Sequence, residues 1–206
     1  MYNPDWQEVD PEDVVSQVTQ VNRAVKERQF DLSATVGRKA SLSWYAEHEL
    51  YEFTDTSTSG PSFIRRALIG PDSMQVMNWT NGPIYTTNEQ APIHVNDDNA
   101  AEYVRFFFNY VKGRHGRFVI VESPDEIVWD GEVPEVGKQK IGQIIQPVTV
   151  TASEDGKITL IAYMVFKDSL FRANVHVERD GMVSLSDEAL VIEGMPIVED
   201  VVPDEG

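Results

Sequence analysis

The chain has no cysteine, which removes disulfides, thiolate metal sites and a thiol nucleophile together. Basic residues are scarce as well: 17 Lys and Arg stand against 34 Asp and Glu, a formal charge of −17. A nucleic-acid binder needs a basic footprint to displace counterions, and an anionic membrane surface repels a field of this sign. Neither partner class is expected. Apolar runs are short, none approaching the roughly 20 residues of a bilayer span. The opening Met1-Tyr2-Asn3-Pro4-Asp5-Trp6-Gln7-Glu8 lacks the basic start and apolar middle of a signal peptide, so a cytoplasmic location is expected. Missing too are a Walker A loop, a dinucleotide fingerprint, an EF-hand loop, a His-Glu-x-x-His helix and a Gly-x-Ser-x-Gly elbow. No cofactor, no metal and no catalytic residue is therefore expected.

What is present is the material of a core. Hydrophobic residues make up 41% of the 206 positions, with 4 Trp, 7 Tyr and 9 Phe, a composition of folded rather than disordered chains. The pattern predicts an α+β protein of two intimately packed lobes, residues 1–95 and 96–206. In the first, Asp10 suits an N-cap, Pro11 the first helical position, and Glu12 and Asp13 the positive end of the dipole. Val14, Val18, Val21 and Val25 then recur at helical spacing, with Gln17, Gln20, Arg23 and Glu27 outward. A small irregular antiparallel sheet follows, with strands expected at Leu42–Tyr45, Glu49–Phe53, Phe63–Ile69 and Ser73–Trp79. Gly37, Gly70-Pro71-Asp72 and Asn81-Gly82-Pro83 read as turns, and Thr54 to Ser62 as a mobile polar loop.

The second lobe opens on a helix from Asn99 to Lys112, with Asn99 and Glu102 in capping-box relation. Its middle, Tyr103 to Val111, is apolar nearly all round, as in a buried helix. A buried strand at Phe118–Val121 and a weaker helix over Pro134–Gln146 lead into residues 147–192. These read as a four-stranded antiparallel meander with turns at Glu154–Lys157, Lys167–Ser169 and Arg179–Gly181. The acidic tail from Glu193 is expected to fray. In element order alone, helix plus curved meander is similar to domains of the cystatin or nuclear-transport-factor type, which implies a ligand pocket between the two.

Three places hold candidate site residues. Alternation along Leu170–Arg179 throws Arg172, Asn174 and His176 to one face of the meander, with Thr159 and Tyr163 of the preceding strand as neighbours. This row is expected to read a small polar or anionic ligand in a pocket against the 99–112 helix. The loop Lys112–Arg117 gathers Arg114, His115 and Arg117 between two glycines that allow close backbone approach. Its Gly-x-x-Gly spacing is shared with KH modules, but here the loop joins a helix to a strand. The plainer reading is a helix stop, with Gly113 in the left-handed C-cap position. Lastly, Trp44, Tyr51 and Trp79 are of the types enriched at binding hot spots, although core packing also consumes such side chains. The leading functional expectation is a non-catalytic interaction protein whose partner is a protein, basic or of mixed charge. The small-ligand pocket is the alternative. A hydrolase-like or isomerase-like enzyme with His176 as general base is weaker, because neither a nucleophile nor an orienting carboxylate is visible beside it.

Overall fold

The computed structural model describes residues 2–26, 28–57 and 62–198. Among these are four α-helices and two antiparallel sheets, an α+β architecture. The chain divides into two compact units. One comprises Asn3–Asn78 and Gly82–Ile93; the other comprises Tyr2, Trp79–Asn81 and the chain from His94 onward. Of the expected polar loop, Thr54 and Asp55 belong to a strand and residues 58–61 lie outside the described residues, as do the end of the acidic tail and Glu27. No helix among the described residues is long and apolar enough to cross a membrane.

In the first unit, β1 (Gln7–Glu8), β2 (Thr35–Ser41), β3 (Glu49–Asp55), β4 (Phe63–Ile69) and β5 (Met74–Val76) pair in sequence order. Helix α1 (Pro11–Ala24) lays Val14, Val18 and Val21 against Phe53, Ala67 and Ile69 of this sheet and against Phe30. Four expectations fail here. Leu42–Tyr45 is a turn, closed by the Tyr45 N–H donating to the Leu42 carbonyl, and the strand is β2 before it. Gly37 is not a turn residue but the middle of β2, paired with Phe53. A Cβ there would stand 2.9 Å from Val14 Cγ2, so glycine is what lets α1 settle onto the sheet. Likewise Gly82–Gln90 forms helix α2, with Pro83 in the first turn where a missing N–H costs nothing, and the strand before it shrinks to Met74–Val76.

In the second unit, helix α3 spans Ala100–Tyr110. Asn99 turns away from the expected cap: its Oδ1 accepts from the Asn96 N–H at 2.8 Å and its Nδ2 donates to the His94 carbonyl at 2.9 Å. Val111 already has extended φ and ψ, and Gly113 is not left-handed, so the expected glycine stop is replaced by a β-type exit. There follow β6 (Val119–Ile120), a 3-10 turn (Pro124–Glu126), helix α4 (Glu135–Ile144), and β7 (Thr149–Glu154), β8 (Lys157–Phe166), β9 (Ser169–Glu178) and β10 (Val183–Ile192). The meander forms, with β6 added: β8 pairs with β9 on one edge and shares the other between β6 and β7, while β10 closes the sheet beside β9. Asp155 (φ 53°) and Gly156 (φ 79°) supply the left-handed pair that a two-residue hairpin turn demands. One face of β8 and β9 carries Leu160, Ala162, Met164, Ala173, Val175 and Val177, all buried. The other carries Tyr163, Val165 and Leu170 into a cluster with Val121, Ile127, Ile141, Ile145 and Met195.

Candidate functional site

Register brings the meander's polar residues into one row. Thr159 of β8 lies opposite His176 of β9, and Ile161 opposite Asn174, which in turn faces Ser186 of β10. His176 uses both ring nitrogens: Nδ1 meets Thr159 Oγ1 at 3.0 Å and Nε2 meets Ser186 Oγ at 2.8 Å. Ser186 Oγ also donates to Asp187 Oδ2 at 3.1 Å, and Asn174 Nδ2 donates to the same oxygen at 2.8 Å. Asp187 stands at φ 51° where the β9–β10 register slips between Ser186 and Ala189. This is a β-bulge, and its unusual backbone angle is held by the two hydrogen bonds on its carboxylate.

Sequence reasoning found Asn174 and His176 but missed Ser186 and Asp187. They come from a separate strand ten or more positions away: regular register sets Ser186 opposite Asn174, and the slip that begins after Ser186 leaves Asp187 beside the row. The Ser186–His176 contact has the length of a nucleophile–base pair. Two features oppose that chemistry. Thr159, not a carboxylate, holds Nδ1, so nothing negatively charged stabilises an imidazolium as it forms. Asp187 also competes as acceptor for the Ser186 proton. The arrangement ties three strands together, β8 through Thr159, β9 through His176 and β10 through Ser186.

Arg172 pairs with Tyr163 in register, but Tyr163 is buried in the apolar cluster. Among the described residues no α3 side chain belongs to that cluster. The Arg172–His176 row therefore lies on the face that carries the α4 cluster, and a pocket against α3 does not include it. A cleft of about 10 Å³, the space of one water, lies instead among Tyr2, Arg105, Phe108, Asn109, Arg117 and Val119. Its floor is ordered by charge. Arg105 grips Glu122 with two hydrogen bonds, Nε to Oε2 at 2.7 Å and Nη2 to Oε1 at 2.8 Å. Burial opposes ionisation of Glu122, but the guanidinium and the Val148 N–H outweigh it and hold the carboxyl below its usual range. Burial likewise pushes the Tyr2 hydroxyl well above its usual range.

No family model, curated protein or solved structure matches the chain. Function is accordingly argued from the side chains and edges themselves.

The basic loop is stiffer than its glycines imply. Gly113 N–H donates to the Gly116 carbonyl at 2.9 Å and Gly116 N–H returns the bond at 3.3 Å, closing the loop on itself. Arg117 is drawn back, donating to the Asn109 carbonyl at 2.8 Å and lying 5.7 Å over the Trp79 ring. Arg114 and His115 remain exposed at the tip. The aromatic candidates do not form one surface. Trp44 is completely buried, which takes it out of any hot spot; Tyr51 stacks on Phe53 at the rim of the α1 core; and half-buried Trp79 belongs to the other unit. Among the described residues no group of three or more His, Asp or Glu is placed to hold a metal ion.

Proposed function

We propose that this is a non-catalytic, cytoplasmic interaction protein, and that it holds a basic segment of a partner protein in extended form along β10. One observation carries the reading. The 10-residue strand β10 has β9 on one side and, among the described residues, no strand on the other. From Ser184 to Leu190 such an edge offers a row of main-chain donors and acceptors to a further strand. Asp187 and Glu188 are exposed on it and favour lysine and arginine, while Leu190, 52% exposed, is an apolar anchor. A second copy docking edge to edge would bring its own Asp187 and Glu188 against these, so like charge opposes self-pairing and selects a basic partner.

The test is fluorescence anisotropy with a labelled peptide of alternating lysine and valine, about ten residues long to match a strand. Two alternately N-methylated versions of equal charge, one for each edge of the peptide, complete the set. The expected result is binding of the plain peptide, loss with one methylated version, and weakening of at least about tenfold with Asp187→Lys and Glu188→Lys together and at high salt. Equal binding of both methylated versions would reduce the interaction to unspecific charge attraction. Binding unchanged from low to high ionic strength would contradict a basic partner.

A further inference from the structure

The second unit carries a patch of the opposite sign to the rest of the molecule. Lys112, Arg114 and His115 are exposed between α3 and β6, and among the described residues their side chains have neither an ion-pair nor a hydrogen-bond partner. The β8–β9 turn adds to them. A Cβ on Gly116, whose φ is +138°, would lie 3.1 Å from Phe166 Cε2, so the loop rests directly on that ring. Phe118 stacks on the same ring at 4.6 Å, and Lys167 extends its ammonium 5.6 Å from the ring centre. Across these two segments, 112–117 and 166–169, Asp168 is the single carboxylate, while Lys112, Arg114 and Lys167 are exposed and Arg117 is already engaged by the Asn109 carbonyl. In a chain with twice as many acids as bases, exposed cations gathered on a fixed loop make a local positive field that attracts a negative group.

We infer that this corner docks an acidic, extended segment of a second protein, whose spaced carboxylates pair with Lys112, Arg114 and Lys167. Two features select that occupant. The Gly113 and Gly116 N–H groups are spent on each other's carbonyls, so neither glycine amide can cradle a phosphate, and the exposed side chains offer recognition at separated points. A nucleic acid would have to continue from the patch across a surface of net charge −17, whereas a short acidic segment need only lie within the patch. The half-buried Phe118 and Phe166 give its apolar residues something to rest on. This site is independent of β10 and takes a partner of opposite charge, so either proposal can fail alone.

The experiment titrates the whole protein with a labelled peptide of glutamate interspersed with leucine and, in parallel, with a single-stranded oligonucleotide of equal charge. Arg114→Glu combined with Lys112→Glu should weaken peptide binding at least about tenfold, since each reversal costs a charge pair and adds a repulsion. Both positions are exposed, so the fold should be kept and cooperative unfolding retained, with the melting temperature lowered only by the added negative charge. Gly116→Ala is the second variant: it disturbs the loop's seat on Phe166 without changing charge, and it should weaken binding several-fold. Unchanged peptide affinity in the charge-reversed protein overturns the inference, as does tighter binding of the oligonucleotide than of the peptide. Sedimentation showing a wild-type dimer that Arg114→Glu converts to monomer would assign the patch to a second copy and overturn it equally.

Discussion

Gly37 shows how one missing methyl group positions a helix. It sits in mid-strand with no unusual φ, so alanine is conformationally acceptable there and would gain a little through the unfolded state. The obstacle is Val14 Cγ2 at 2.9 Å and the Phe53 ring at 3.3 Å. Overpacking of this kind costs about 1–3 kcal/mol. Gly37→Ala should therefore destabilise the protein by about that amount in urea unfolding, and much less in a Val14→Ala background, where the clash is relieved. A cost that is the same in both backgrounds would show that the contact is not its cause. His48 gives a second residue-scale prediction. It is 7% exposed, its Nε2 meets Ser73 Oγ at 2.7 Å, and burial lowers its pKa while nearby Glu47 opposes the shift. A base whose folded pKa is depressed leaves stability intact above the unfolded value of about 6.5 and loses it as pH falls from there through the folded value. Wild-type stability should decline over that interval, ahead of the loss near pH 4 expected from protonating Glu122 and Asp55, whose carboxyls are held low. His48→Gln should flatten the first decline only, and a wild-type profile already flat between pH 7 and 5 would refute the assignment.

At the scale of elements, legibility in the sequence followed the sharpness of each periodic signal. The α1 valines, the α3 aromatics and the meander's turns each carry a local physical cause, and the structure has those elements where the pattern put them. Helix α2 and strand β2 were not legible because their causes are tertiary. Thr35–Ser41 has no apolar alternation, and it is a strand because β3 pairs with it along its whole length, from Thr35 opposite Asp55 to Ser41 opposite Glu49. Its charged members are then used across the sheet: Glu52, 4% exposed, stands 2.6 Å from Arg38 of β2 and 2.5 Å from Arg66 of β4. Gly82–Gln90 opens with two residues that ordinarily punctuate loops, and its Thr87 is helical with its hydroxyl donating back to the Pro83 carbonyl at 2.9 Å. The candidate row on the meander was half legible for the same reason. Alternation fixes which side of β9 Asn174 and His176 occupy, but no local rule says which β10 residues the register sets beside them, or that β10 will bulge at Asp187. That bulge also shortens the regular run of the edge, the usual defence of an exposed strand against indiscriminate pairing. A strand protected in this way accepts a partner that is complementary in charge more readily than one that is merely extended.

For the molecule as a whole the governing quantity is the charge of −17, which favours solubility but works against compactness through self-repulsion. Added salt acts on two opposing sets of interactions. It screens repulsion among exposed carboxylates, and it weakens attraction within Arg38–Glu52–Arg66 and Arg105–Glu122. Apart from the exposed Arg38, the attractive groups are partly or wholly buried and so are screened less than the exposed repulsive ones. The balance favours the folded state, so the melting temperature should rise between about 10 mM and 0.2 M NaCl, by about 2–4 °C for each kcal/mol of repulsion removed. A flat or falling curve would mean that attractive pairs dominate the field. A rise alone does not isolate repulsion, because salts also act by exclusion from the protein surface. Repeating the scan near pH 4.5, the isoelectric point of the sequence, separates the two. With little net charge left to screen, the salt-induced rise should vanish there, whereas an increment that persists at that pH would trace the effect to the solvent and not to the acidic surface.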